Sequence, residues 1–440
     1  MHERPDVSFP LPRACPFRMP PEYDRLREAP GLATAELPSG SLTWLVTRLD
    51  DARAALSAPG FTADRSDPAF PMPQLRPAPA TGVPRPPLTP AERRARSRGA
   101  SLIGMDPPEH TAARRAVIGE FTARRVTGLR PRIQQIVDAR IDAILDGGPP
   151  ADLVPALSLP VPSEVICELL GVPYAQHEFF QSRSMMLLSH RVPPEQRFEA
   201  LRELFGFLDE LVSAAEAEPG DNLLGRQVTR RGPAGDDDHR DLVSLAFLLL
   251  VAGHETTANM ISLGVLAVLR DPAELMTAVT DPGRAPGAVE EMLRYFSIAD
   301  TGTGRVALAD TEIGGTLVRH GEGVIVSLLA ANHDPAVFPN PGQLDPARRI
   351  RQHVAFGFGA HQCLGQSLAR AELEIVYQTL FRRIPALRLA VPLDELPVKD
   401  DAFVYGLHEL PVTWLNGVWP ARTGRVRAEE AASPGCCLLS

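Results

Sequence analysis

Phe356-Gly357-Phe358-Gly359-Ala360-His361-Gln362-Cys363-Leu364-Gly365 runs straight into an amphipathic stretch from Gln366 to about Phe381. The glycines favour neither helix nor strand, whereas Leu364, Gln366, Leu368, Ala369 and Ala371 favour a helix. The loop therefore delivers a single cysteine to the region of a helix N-terminus. First-turn amides lack intrahelical partners and the macrodipole is positive there, which lowers a thiol's pKa and lets anionic sulfur persist as a metal ligand. Gly357, Gly359 and Gly365 leave space for a flat ligand against the backbone. Taken alone, a lone cysteine is more often a buried structural thiol.

The wider spacing reverses that reading. Phe356, Gly359, His361, Cys363 and Gly365 match F-x-x-G-x-H-x-C-x-G at every specified position, and the stretch resembles the haem-binding loop of the cytochrome P-450 family. The resemblance extends over nearly all of residues 10–414 and is strongest to soluble bacterial proteins of the actinomycete type. It implies a mainly α fold with small β-sheets and a long central helix crossing over the haem. It also implies haem b with Cys363 as the axial metal ligand, and Phe356, His361 and Gly365 as cofactor-binding neighbours.

A second signal lies upstream. An apolar run from Leu242 predicts a helix over Asp241 to Leu269, roughly 40 Å long at about 1.5 Å per residue. Its middle, Ala252-Gly253-His254-Glu255-Thr256-Thr257, places a carboxylate and two hydroxyls among apolar residues, where they are costly without partners. A satisfied polar patch or a kink is the bland explanation. The pattern resembles the family's A-G-x-E-T-T motif, which implies that Ala252 and Gly253 make room for dioxygen, Thr256 hydrogen-bonds it, and Glu255 relays protons.

Other segments gain meaning only beside these two. His110 and Arg114 share a helical face, as any solvated basic pair can; the resemblance makes them, with Arg305, donors to the haem propionates. Glu291 and Arg294 resemble the family's structural E-x-x-R pair, with Arg348 as third member, although Leu344 stands where phenylalanine is usual. The expected substrate cavity comprises Met186 of the Met185–Leu188 cluster, Leu249 and Ala252, Ile298 and Phe403. Strands are expected over 41–47, 305–307, 311–315, 387–391 and 410–414, and an irregular loop over 66–100.

Composition bounds the rest. A chain of 440 residues with 44% hydrophobic content can bury a large core. No linker or repeat divides it, so we expect a flexible N-terminus over 1–9, one domain over 10–414 and a disordered tail over 415–440. Net charge is −9 without a basic block, which argues against nucleic acid. The longest apolar run, Leu242 to Ala252, is too short to span a bilayer, and the N-terminus has no apolar h-region, so a cytoplasmic monomer without a membrane anchor is expected. Five scattered cysteines argue against a disulfide framework. Lysine occurs once, at Lys399, among 45 basic residues, an excess of arginine that reads as coding bias.

The resemblance then implies a monooxygenase that places one atom of O2 into a bulky hydrophobic small molecule, such as a macrolide or another secondary metabolite. Peroxide-driven oxidation, oxidative coupling and a non-catalytic haem sensor are the alternatives. No G-x-G-x-x-G lies between a strand and a helix, so electrons from NAD(P)H are expected through a ferredoxin and its reductase. Arginines 348, 349, 351, 370, 382 and 383 are the candidate docking face.

Overall fold

Asp236–Arg270 forms a helix of 35 residues about which the other elements pack. From Ile261 to Val268 it is buried on all sides, with Ile261, Leu263, Val265, Leu266 and Val268 at 0% exposure, the pattern of a core helix and not of a surface stripe. Each such side chain contributes about 1.5–3 kcal/mol of burial free energy. By length and composition this helix could cross a bilayer, yet here it is largely enclosed by protein. It begins five residues before the expected Asp241. His239 in its first turn sits between Asp209 (3.0 Å) and Glu216 (2.9 Å) of a neighbouring helix, and these contacts hold the polar residues ahead of the apolar run in the helix.

The computed structural model describes residues 5–72, 102–231, 235–299, 301, 303–349, 352–400 and 402–415. Most of the 66–100 loop, Arg351 and nearly all of the 415–440 tail lie outside these. The central helix packs against Pro160–Leu170, Pro194–Ala217 and Ala285–Phe296, and against Gln366–Arg383, the helix that follows the cysteine loop. The last of these also lies along the long helix Ala123–Gly147. His177–Leu188 and Pro194–Ala217 pack on each other, and Met185, Met186 and Leu188 of the first form the roof of a cavity of about 180 Å3.

A six-stranded mixed sheet runs in the order Val7–Ser8, Ala33–Glu36, Leu42–Val46, Gly323–Val326, Gly304–Ala307 and Phe61–Thr62. Arg305 sits mid-strand, opposite Val324. Residues 7–9 depart from the expected flexible N-terminus: Val7 and Ser8 pair in parallel with Ala35 and Glu36, and Phe9 is 1% exposed. Burial of that ring holds the segment, a contact invisible in a local reading. Arg388–Leu389 and Pro411–Thr413 pair as anticipated, with Ala151–Asp152 added as a third strand. Thr311–Ile313 and Thr316–Val318 form a hairpin whose turn uses Gly314 (φ +56°) and Gly315 (φ +76°).

Candidate active site

The cysteine loop is folded back on itself. The Gly357 amide donates to Val354 O and the Cys363 amide to Phe356 O, both at 2.8 Å. Gly359 has φ +73°, and a Cβ there would lie 2.8 Å from Leu56 O, so conformation and space both demand glycine. The helix starts at Gln366 with Gly365 as N-cap, which puts Cys363 just ahead of the first turn. Burial pushes the Cys363 thiol up, while the amides of Gly365 and Gln366 and the guanidiniums of Arg114 and Arg370 pull it down. The expectation of a lowered thiol is thus corrected: the helix end acts as argued, but desolvation outweighs it.

Cys363 faces a cavity of about 360 Å3. The same cavity is lined by His110, Arg114, Leu249, Ala252, Thr256, Ile298, Arg305, Phe356, His361 and Gly365, so residues far apart in the chain converge on it. Three expected residues do not. Glu255 and Met186 line a smaller cavity of about 180 Å3. Phe403 lines neither of these two; its ring packs edge-on against His190 at 4.6 Å and its amide donates to Leu188 O at 3.0 Å. Glu255 is turned away because consecutive helical residues point about 100° apart.

One corner of the large cavity gathers the guanidiniums of Arg114 and Arg305 and the imidazoles of His110 and His361. The His110 and His361 rings lie 4.1 Å apart between centroids, and His110 is 1% exposed with neither ring nitrogen hydrogen-bonded. Arg114 Nη2 donates to Gln362 O at 2.6 Å, and Arg305 Nη1 to Gly304 O at 2.7 Å. Burial, reinforced by repulsion from Arg305, His110 and Arg114, pushes His361 down to about 3. Burial likewise lowers Arg305 to about 10, with Arg65 pulling the same way and Asp106 opposing. Such a corner is short of negative charge, and a ligand bearing carboxylates would relieve it.

Among the described residues, no group of three or more His, Cys, Asp or Glu side chains could hold a metal ion. A metal bound through Cys363 therefore brings its remaining donors with it, as a macrocycle does. Apolar walls, one soft donor and the cationic corner fit haem, with Cys363 toward the iron and His110, Arg114, His361 and Arg305 toward the carboxylates.

On the central helix the Thr256 hydroxyl donates to Ala252 O at 2.7 Å. Glu255 Oε2 accepts from Lys399 Nζ at 3.2 Å and from Asn259 Nδ2 at 3.4 Å. Gly253 has a packing role besides its small size, since a Cβ there would approach Ile166 Cδ1 to 3.0 Å. Below the site, Arg294 Nε and Nη2 grip both oxygens of Glu291 at 2.8 Å, and Arg348 Nε reaches Glu291 Oε1 at 3.2 Å. This brings together the three residues read as a structural unit, and Leu344 does not disturb them. Three arginines of the candidate docking face take part in ion pairs. Arg348 is held by Glu291, Arg370 by Glu290, and Arg383 by Asp142, so these guanidiniums already have carboxylate partners.

The sequence reading missed Glu372 and Lys399. Glu372 lines the large cavity at 2% exposure, its Oε2 has no hydrogen-bond partner, and burial pushes it up to about 8. Its position four residues from both Leu368 and Val376, on an apolar helix face, was the available signal.

Known proteins resemble this chain over most of its length. The cytochrome P-450 family model matches residues 286–412. Pentalenic acid synthase of Streptomyces avermitilis is 48% identical over 408 residues, covering 93% of this chain and 97% of the relative. Among solved structures, cytochrome P-450 MoxA from Nonomuraea recticatena superposes with a TM-score of 0.82 at 53% identity, covering 94% of this chain and 99% of that one. Mycinamicin VIII C21 methyl hydroxylase from Micromonospora griseorubida, solved bound to mycinamicin VIII, gives 0.83 at 41% identity over 93% and 100% of the two chains.

Proposed function

From the premise that the chain belongs to the cytochrome P-450 family and is a haem-dependent monooxygenase, we propose that Cys363 is its axial ligand and that it oxidises a large lipophilic secondary metabolite. The observation that carries this is the meeting of Cys363, the cationic corner and Thr256 on one predominantly apolar cavity. When bound, haem supplies the cleavage of dioxygen and the transfer of one oxygen atom into a C–H or C=C bond, chemistry that thiolate donation favours throughout this family.

The chain's residues do the rest. Phe356, His361 and Gly365 shape the loop around the ligand sulfur, while His110, Arg114 and Arg305 hold the carboxylates and fix orientation. Leu249, Ala252 and Ile298 present apolar surface that holds the substrate by area and excludes water. Thr256 offers its hydroxyl oxygen to the cavity, and Glu255 supplies protons from the far side of the helix. Electrons come from NAD(P)H through a ferredoxin and its reductase.

Relatives support the substrate class: pentalenic acid synthase and a hydroxylase crystallised with mycinamicin VIII bear names of bulky natural products. The test is the optical spectrum of the reduced carbonyl complex, followed by a substrate panel. A strongly red-shifted Soret band that is lost in Cys363→Ala is expected, as are spectral shifts with macrolides, terpenoids or peptides. Retention of that band in Cys363→Ala, or shifts with small polar compounds alone, overturns the reading.

A further inference from the structure

Glu255 and Thr256 adjoin in sequence but serve different cavities. Thr256 faces the larger one, whereas Glu255, 4% exposed, lines the smaller one. There its carboxyl group meets Lys399 Nζ at 3.2 Å, and the two side chains are only 12% and 6% exposed. Taking two charges out of water costs several kcal/mol per ion unless geometry compensates, so the surrounding backbone must be built to hold them together. The Lys399 amide donates to Gly406 O at 2.8 Å, and Val398 bridges Leu407, which draws 398–400 and 402–407 into a hairpin. Gly406 lets that hairpin approach the central helix, since a Cβ there would lie 2.1 Å from Asn259 Oδ1.

Two further facts give this pair a functional meaning. Lys399 is the single lysine among 45 basic residues. Arginine's fork would clamp both carboxylate oxygens, while a lysine ammonium holds one through a compact, rotatable contact. The hairpin is also tied to the roof: the Phe403 amide donates to Leu188 O at 3.0 Å, Ser189 bridges Ala402, and Arg191 pairs with Asp400 at 3.0 Å.

We propose that Lys399 is a positioning residue that holds the Glu255 carboxyl group toward the smaller cavity, where solvent replaces each proton the acid passes toward Thr256. Only O–H bonds form and break in this step: the carboxyl group gives one proton to the large-cavity side, and the carboxylate left behind takes one from a hydronium ion of the solvent on the other, releasing water. Because these contacts grip the hairpin, the hold on Glu255 depends on the position of the helix His177–Leu188 and of the turn that follows it. The inference rests on the reading of Glu255 as a proton donor.

The test uses the holoenzyme with its reductant system and compares wild type, Lys399→Met, Lys399→Arg and Ala402→Leu, the last of which fills the smaller cavity. In Lys399→Met, product per reductant falls several-fold, peroxide rises and the solvent isotope effect on product formation increases; Lys399→Arg restores part of the loss. The carboxyl infrared band of the resting enzyme that Glu255→Gln removes moves in Lys399→Met and returns toward its position in Lys399→Arg. Ala402→Leu reproduces the larger isotope effect. Wild-type coupling and an unmoved band in Lys399→Met overturn the positioning role, and an unchanged isotope effect in Ala402→Leu overturns the water route. Full coupling in Glu255→Gln overturns instead the underlying reading of the acid.

Discussion

Thr256 spends its own proton on Ala252 O, 2.7 Å away, so toward the cavity its oxygen is an acceptor, suited to orient a protic neighbour. Thr256→Ala removes that acceptor with little change in packing. Product formation is expected to slow by about 10²-fold, the low end for loss of positioned proton transfer, with peroxide replacing product and substrate binding intact; stopped-flow and product analysis check this. Glu372 makes a separate prediction. Burial raises its pKa from the ordinary 4.5 to about 8, so the folded state binds its proton more tightly than the unfolded state does. The stability it contributes is fully present below pH 4.5 and is lost as pH rises through about 8. Glu372→Gln, which stays neutral, should gain stability relative to wild type across that window, as followed by denaturant unfolding at several pH values. Residues of these two kinds differ in how they show in the sequence. Cys363, His361 and Thr256 sit in dense local patterns whose spacing is itself the signal. Lys399 finds its partner 144 positions away, and no local pattern reports such a pair.

Between elements, the central helix approaches the cysteine helix closely at Gly264. Tyr377 Oη donates to Met260 O at 2.6 Å, and its ring fits only because residue 264 is glycine: a Cβ there would lie 2.0 Å from the hydroxyl oxygen. Gly264→Ala is therefore expected to destabilise by about 1–3 kcal/mol through overpacking, despite alanine's better helix propensity. Denaturant unfolding measures this, and Gly264→Ala combined with Tyr377→Phe should recover part of the loss. Glu291 and Arg294, both 0% exposed, pose a harsher case. Glu291→Ala leaves a buried guanidinium without its carboxylate, which costs about 3–5 kcal/mol; loss of haem retention and of cooperative unfolding should accompany it. The central helix and the helix after the cysteine loop were readable from their apolar residues, and the central one was missed only at its start. Val7–Ser8 and Ala151–Asp152 were not readable, because a two-residue strand has no period and its existence depends on a partner supplied by another part of the chain.

At the scale of the molecule, the active site is a junction: the cysteine loop comes from near residue 360, the cationic corner from 110 and 305, and the polar turn of the central helix from 255. Each fragment was legible, and their order of assembly followed from resemblance to a known architecture. What hydrophobic pattern alone could not give was the division of space into two cavities, since that depends on side-chain directions across contacts between distant elements. The roof shows the same dependence. His239 joins the central helix to the roof helix Pro194–Ala217 through Asp209 and Glu216, and hydrogen bonds to these two carboxylates raise its pKa above 6.5. Protons therefore bind the folded state more tightly. The contribution is fully present below pH 6.5 and is lost as pH rises through the higher folded-state value. It is small, about 0.2–1 kcal/mol per pair, because these groups remain partly in water. His239→Ala should accordingly be less stable than wild type at low pH and equal to it once the imidazole is neutral. Unfolding at paired pH values measures the difference, and a constant difference across the range would mean that packing, not protonation, joins the roof to the central helix.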